Sequence, residues 1–284
     1  MHGIRTDDPV GRAVACVRER YADPLTLADL ADSAGLSRFH FARLFKETTG
    51  ITPGRFLAAV RLHRAKRLLL STSLNIADVS AAVGYVSLGS FTTSFTVGVG
   101  ISPGRFRRLS RAGGPALPAV RTPTGAGRGA VAGTVSLPDG HGNARVYIGA
   151  FGTMLVENPS LAGVLVDVPG GRPSCYHLPD VPAGTWYVHA VAVADGVGPD
   201  PRAHRTPLIG GQTSVTVTAG SVTSSAVRLR RVRPTDPPVL LALPDLVPPR
   251  APAVSIGCPA LTPRPAASPP GARSLAAVGA PRPS

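Results

Sequence analysis

Apolar residues recur at three- and four-residue intervals over roughly the first 108 positions and tend to alternate between about 129 and 233, so the chain reads as a helical part followed by a strand-rich part. Asp8-Pro9 opens a first helix as N-cap and first-turn proline, and Val10, Ala13, Val14 and Val17 give it one apolar face ending near Tyr21. Asp23-Pro24 breaks it. Leu27, Leu30 and Ala31 mark a second helix, with Thr26 as N-cap and Asp29 as the carboxylate of a capping box. Gly35 supplies a tight turn and Ser37 caps a third helix. On that helix Phe41, Leu44, Phe45 and Thr48 are expected to form the buried stripe. Arg38, Ala42, Arg43 and Lys46 are left on the other side, with Phe39 at the border.

The pattern then repeats. L-T-L-A-D-L-A at 25–31 returns as L-N-I-A-D-V-S at 74–80, an offset of 49 that Gly35 and Gly84 share. After the turn the offset becomes 50: Phe41 matches Phe91, Phe45 matches Phe95, Gly50 matches Gly100, and I-T-P-G-R-F at 51–56 matches I-S-P-G-R-F at 101–106. Each copy ends on Gly, then Thr or Ser, then Pro, which stops one helix and starts the next. Between the copies a helix is expected from Pro53 to about Leu70, spanning roughly 27 Å. That length would hold two equivalent helices at a spacing comparable to the ~34 Å of one DNA turn.

A short helix, a glycine turn and a second helix with exposed cations make a helix-turn-helix pattern, in which the second helix enters the major groove. A net charge of +14 fits a polyanionic partner without choosing among DNA, RNA and anionic membrane. The runs L-T-L-A-D-L-A…G-L-S-R-F-H-F-A-R-L-F-K-E-T-T-G-I-T-P-G-R-F, R-L-H-R-A-K-R-L-L-L, N-I-A-D-V-S-A-A-V-G-Y-V-S-L-G-S-F-T-T-S-F and I-S-P-G-R-F-R-R resemble the DNA-binding domain of AraC/XylS-family transcription regulators over residues 10–108. The resemblance implies seven helices with two helix-turn-helix motifs, at about 27–48 and 76–98. It also implies DNA contacts from Ser37, Arg38, Phe39, Ala42 and Arg43 in the first motif and from Ser87, Leu88, Gly89, Thr92 and Thr93 in the second, with Lys46 and Arg55 on phosphates. The second motif departs from the family: no cation lies between Arg67 and Arg105, and Gly89 and Gly98 each lower helix propensity by up to ~1 kcal/mol relative to Ala. The first motif is therefore expected to supply most of the specificity. Arg61, Arg64, Lys66 and Arg67 are expected to be mostly solvated or structural, some pairing with Asp29 or Asp78.

Residues 109–128, rich in Gly, Pro, Ala and Thr, read as a flexible linker. The strand-rich part, 129–233, offers seven candidate strands: Val131–Leu137, Ala144–Ala150, Val164–Val168, Ser174–Leu178, Thr185–Val193, Thr213–Thr218 and Val222–Arg230. They suggest a small antiparallel sandwich, and the run Y-H-L-P-D-V-P-A-G-T-W-Y is similar to carboxypeptidase regulatory-like (transthyretin-like) domains, which implies a structural or binding module. Pro234–Ser284 holds 14 prolines, a density that excludes ordinary helices and central strands. This tail is expected to be mostly disordered, although T-D-P-P-V-L-L-A-L-P-D-L has enough apolar residues to pack along the sandwich.

Chemistry for catalysis is not apparent: there is no nucleophile–base set, metal-ligand spacing or nucleotide loop, and no cofactor is expected. Cys16, Cys175 and Cys258 are far apart and odd in number, so buried or free thiols are expected rather than a disulfide framework. No apolar run is long enough to span a membrane, and the N-terminus lacks a signal core, so a cytoplasmic, nucleoid-associated protein is expected. The fold class expected is an all-α double helix-turn-helix domain, a small all-β sandwich and a Pro-rich tail. The function expected is a sequence-specific transcription regulator, an activator by resemblance. Its partners would be double-stranded DNA and RNA polymerase, and its sandwich would bind an effector or self-associate. The competing reading is an adaptor or architectural DNA protein whose sandwich binds a protein or carbohydrate.

Overall fold

The computed structural model describes residues 8–112, 127–243 and 246. Its helices are α1 Pro9–Arg20, α2 Leu27–Ala34, α3 Arg38–Thr49, α4 Pro53–Ser71, α5 Ile76–Ala82, α6 Leu88–Val99 and α7 Pro103–Ala112. Local chemistry sets these boundaries. Asp8 accepts from Val10 N at the start of α1, and Thr26 and Asp29 form a reciprocal capping box on α2. Ser37, Thr52, Asn75 and Ser87 cap α3, α4, α5 and α6 through their side chains. Gly50 and Gly100 end α3 and α6 in the left-handed conformation, with φ of 79° and 96°. That region is open to glycine at no steric cost.

The repeat read from the sequence extends into the core. Phe41, Phe45 and Phe56 stack edge to face in series at 5.4 Å and 5.4 Å. Phe91, Phe95 and Phe106 repeat the series at 5.7 Å and 5.7 Å. These six rings, with Val10, Val14, Leu30, Val60, Leu62 and Leu69, are buried in one continuous core under both motifs. One expectation fails by a single position: Thr48 is exposed and Thr49 is buried. Thr49 can go inside because its hydroxyl donates to Phe45 O and to Ile51 O, which removes the cost of burying it.

The strands are β1 Arg128–Ser136, β2 Ala144–Phe151, β3 Ala162–Val168, β4 Ser174–Pro182, β5 Gly184–Ala194, β6 Thr206–Val217, β7 Val222–Ser224 and β8 Val227–Arg231. Instead of the two separate layers of the expected sandwich, they form one hydrogen-bonded path, β3-β2-β5-β6-β8-β1-β4, with β7 beside β1. The path curls into a nearly closed, barrel-like sheet, because β8 pairs with β6 on one side and with β1 on the other. The strand expected over Val222–Arg230 splits into β7 and β8 at Ser225-Ala226. There Ser225 N donates to Ala132 O while Ser225 O accepts from the Tyr176 hydroxyl. β6 begins seven residues before the expected start, since Pro207, Gly210 and Gly211 disguise it as a turn. Gly211 has φ +85° at a bulge opposite Val188 and His189, and a Cβ on Gly210 would lie 2.6 Å from Arg228 O.

The two parts share a joint. The loop between β2 and β3 places Leu155 in the helical core, and the chain after β8 returns to place Leu240 there as well. Residues 237–243, the strap, are tied by Leu240 N and Leu241 N to Val156 O, by Ala242 N to Val99 O, and by three hydrogen bonds from Lys66. The start of the Pro-rich tail thus packs on the helices as well as along the sheet. The rest of that tail, apart from Leu246, and residues 113–126 of the expected linker lie outside the described residues. Cys175 is disulfide-bonded, against the expectation of free or buried thiols, while Cys16 is free.

Candidate nucleic-acid interface

The first recognition face lies on α3. Ser37 accepts from His40 N as the cap, and Arg38, Phe39, Arg43 and Lys46 are exposed, with Ala42 half-buried between them. Phe39 is 85% exposed, an unusual position for a large apolar ring unless something covers it. Arg43 pairs with Glu47 at 3.5 Å, both side chains well exposed. An exposed pair of this kind is worth ~0–1 kcal/mol, so the guanidinium is easily surrendered to another acceptor. Among the described residues no ion pair holds Arg38 or Lys46.

The second face lies on α6 and is neutral. Ser87 caps through Ser90, Leu88 is half exposed, Gly89 and Thr93 are exposed, and Thr92 is half-buried. Val86 and Val97 are exposed beside it. The two faces are alike in backbone and unlike in charge.

Arg55, expected on phosphate, forms an ion pair with Glu157 of the β2–β3 loop. Burial raises the Glu157 carboxyl above its ordinary range, and Arg55 and Thr153 oppose that rise. Most of the cations of α4 are likewise spoken for, by carbonyls and a ring rather than by Asp29 or Asp78. Arg61 donates to Tyr21 O at 2.7 Å and Asp23 O at 2.8 Å, and Arg64 lies 5.4 Å over the Tyr21 ring. Lys66 binds the strap, and Arg107 of α7 donates to Leu69 O and Leu74 O. Arg67, Arg105 and Arg108 are exposed.

No signal in the sequence pointed to the strap or to the β2–β3 loop as neighbours of the recognition helices. Yet a Cβ on Gly50 would meet Met154, and one on Gly100 would meet Asn158, so a single loop touches the C-terminal caps of both α3 and α6. Asn158 donates from its side chain to Val97 O and from its backbone to Gly98 O. Among the described residues no cluster of three metal-ligating side chains occurs, and no helix is long and apolar enough to cross a membrane.

Comparison with known proteins agrees with this geometry. A family described as "Helix-turn-helix domain" matches residues 30–109. The chain is 36% identical over 95 residues to the Bacillus subtilis bifunctional transcriptional activator/DNA repair enzyme AdaA, covering 34% of this chain and 45% of that protein. It is 33% identical over 101 residues to the Staphylococcus xylosus lactose operon transcription activator, covering 36% of each. It is 34% identical over 102 residues to a putative AraC-like transcription regulator of Streptomyces lividans, covering 36% of this chain and 34% of that one. The chain thus spans less than half the length of these relatives. Among solved structures, the DNA-binding domain of AdpA in complex with a target DNA matches at 30% identity and a TM-score of 0.36, covering 37% of this chain and 95% of that one. The helical part of this chain therefore carries a helix-turn-helix domain similar to those of AraC-like transcription regulators.

Proposed function

We propose that this protein is a sequence-specific DNA-binding regulator of transcription that inserts α3 and α6 into successive major-groove segments. The observation that carries the reading is the duplication: two helix-turn-helix units, capped alike and joined by α4, each with its recognition face exposed. On α3, Arg38 and Arg43 are the base-reading candidates, Phe39 and Ala42 suit thymine methyl groups, and Ser37 and Lys46 suit phosphate oxygens. On α6, Ser87, Leu88, Gly89, Thr92 and Thr93 offer hydroxyl and apolar contacts without charge, so this helix adds less affinity. Arg55 reaches a phosphate only by giving up Glu157. An activating role, with RNA polymerase as partner, rests on the relatives named as activators.

Selection of bound fragments from random DNA followed by footprinting tests the reading. A protected site about two helical turns long is expected for one chain. Arg43→Ala should weaken operator binding by ~1–3 kcal/mol and Thr92→Ala by clearly less. Equal losses would remove the division of labour between the helices. A steep salt slope with no preference for the selected site over random DNA would replace this reading with a nonspecific architectural role.

A further inference from the structure

Away from both recognition faces, the joint between the two parts forms a half-open cavity of about 330 Å³. Val191, Leu208 and Ile209 of β5 and β6 form one wall, Pro237, Pro238 and Val239 of the strap another, and Arg18 of α1 and His63 of α4 complete it from the helical side. The volume falls at the lower end of the range of small-molecule sites. Every apolar side chain lining it is aliphatic.

Its polar end is not electrically balanced. Asp236 also lines the cavity, but its carboxylate is already taken, by Arg230 through two hydrogen bonds of 2.6 and 2.7 Å and by Arg233 N at 2.6 Å. Arg18 donates from Nη2 to Pro234 O at 2.7 Å, and its Nε has no hydrogen-bond partner among the described residues. Burial and the neighbouring Arg64 push the Arg18 guanidinium down from its ordinary value, and the Asp236 carboxylate, shared with Arg230, offsets only part of that. His63 Nδ1 also has no partner among the described residues. Burial, with Lys66, Arg67 and Arg64 nearby, lowers this imidazole to about 4 against an opposing hydrogen bond to the Val239 carbonyl, so it is neutral at pH 7 and adds no charge of its own. An apolar chamber with one under-compensated cation at its end calls for an occupant with an apolar body and a single negative charge.

We propose that this cavity binds a small aliphatic monocarboxylate, its hydrocarbon body against Val191, Leu208 and Ile209 and its carboxylate facing Arg18. The occupant would touch α1, α4, the sheet and the strap at once, and α4 is the helix that joins the two helix-turn-helix units. The site needs no DNA, so it stands or falls apart from the function proposed above.

Titration calorimetry on the full chain, without DNA, tests it. The probes are hexanoate and octanoate, each beside its primary amide. At least one acid should bind in the micromolar range, with its amide weaker by ~10-fold or more, one charge-assisted contact being worth that much. Arg18→Met should reduce binding of the acid by ~10-fold or more while leaving the amide nearly unchanged. Because Arg18 also holds Pro234, Val232→Trp supplies a second arm: Val232 lines the cavity and is 45% exposed, so a larger ring there narrows the chamber without entering a packed core. Loss of acid binding in Val232→Trp with an unchanged melting temperature supports the assignment. Equal binding of acid and amide, full affinity in either variant, or no binding of either acid at millimolar concentration would overturn it.

Discussion

Replacing Lys66 by Met removes the α4 side chain that donates to three carbonyls of the strap while keeping a side chain of similar length. Lys66 Nζ donates to Val239 O at 3.3 Å, Leu240 O at 2.9 Å and Leu241 O at 3.0 Å. A hydrogen bond from a charged donor contributes ~1.5–3 kcal/mol net, so three set a gross value well above the total for a neutral trio. Against this stands the cost of enclosing the ammonium. Burial lowers it from 10.5 to about 8, a displacement equivalent to ~3 kcal/mol. Met escapes that cost but leaves three carbonyls facing an apolar side chain, each costing ~1–3 kcal/mol if it stays unsatisfied. The strap can avoid part of that by lifting into water, at the expense of the burial of Leu240 and Leu241, ~1.5–3 kcal/mol each, offset by the conformational entropy regained. The cheaper route limits the loss, and ~2–3 kcal/mol is expected at pH 7.

Urea unfolding at pH 7 reads the loss, and hydrogen exchange at the amides of Leu240, Leu241 and Ala242 reads where it falls. Those amides should lose protection before the core amides of α4 do. The pH dependence supplies a second check. Because the folded ammonium releases its proton near pH 8 and the unfolded one near 10.5, the unfolded state binds more protons between those values. The burial cost is therefore fully present below pH 8 and is relieved as pH rises toward 10.5. Stability of the unaltered protein should gain up to ~3 kcal/mol from this group across that window, less whatever the three carbonyls return to the charged form. Lys66→Met should lack the gain. A variant within ~0.5 kcal/mol of the parent, with strap amides equally protected, would refute the account of the strap as held by this residue.

Three further outcomes follow from the same structure. The imidazoles of His63 and His189 are lowered by burial to about 4, so each stays neutral where an unfolded histidine charges. Their burial adds no pH-dependent cost above pH 6.5 and becomes costlier as pH falls toward 4, so stability should drop by up to ~3 kcal/mol per histidine across that window. His189→Gln should flatten the drop in a pH series of melting temperatures. Gly89→Ala should raise stability by ~0.5–1 kcal/mol, since nothing lies within 4 Å of a Cβ added there and alanine is the better helix former. Thermal unfolding measures it, and a loss would mean that the helix start at Gly89 is not helical in solution. Arg38→Ala, with no ion-pair partner among the described residues to lose, should leave the melting temperature within ~0.5 kcal/mol equivalent while lowering affinity for a selected DNA site; a large loss of stability would show that Arg38 is structural.

What was legible in the sequence was the part fixed by short-range chemistry. Thr26 and Asp29 cap α2 wherever it packs, and Gly50 and Gly100 take left-handed angles because no other residue does so at no cost. The fifty-residue repeat carried the whole helical arrangement, since equal sequences reach equal local minima. The choice between Thr48 and Thr49 was not legible: both are β-branched and polar and both hydroxyls reach a carbonyl one turn back, Leu44 O and Phe45 O, while the contacts with the Ile51 backbone belong to Thr49. Lys66 reads as a surface cation because the strap that encloses it lies some 170 residues away. Arg55 reads as a phosphate contact because Glu157 lies 102 residues away in sequence. The barrel-like curl was hidden because β8 serves two neighbours, a pairing that strand periodicity does not encode.

The sequence of α6 looks poorly made for a helix, with Gly98 between Val97 and Val99, and the structure shows what compensates. Its last four carbonyls, from Thr96 to Val99, have no partners within the helix proper. Gly100 N takes Thr96 O at 3.0 Å, Asn158 Nδ2 takes Val97 O at 3.1 Å, Asn158 N takes Gly98 O at 2.9 Å, and Ala242 N takes Val99 O at 3.0 Å. Three of the four donors thus come from outside the helical part. Gly98 itself fits because a Cβ there would lie 3.2 Å from Leu62 and 3.3 Å from Leu240, tighter than ordinary contact. The second recognition helix is therefore held by the sheet and the strap more than by its own propensity, whereas α3, with Met154 against Gly50, is met there by an apolar side chain. Asn158→Ala separates the two. It removes the bond to Val97 O and keeps the backbone bond to Gly98 O, so a loss of ~0.5–1.5 kcal/mol is expected. Exchange at the amides of Val99 and Gly100 should quicken while that of Thr49 and Gly50 stays as it was. Equal loosening at both helix ends would mean that the β2–β3 loop acts on the helical part as a whole and that α6 has no special dependence on it.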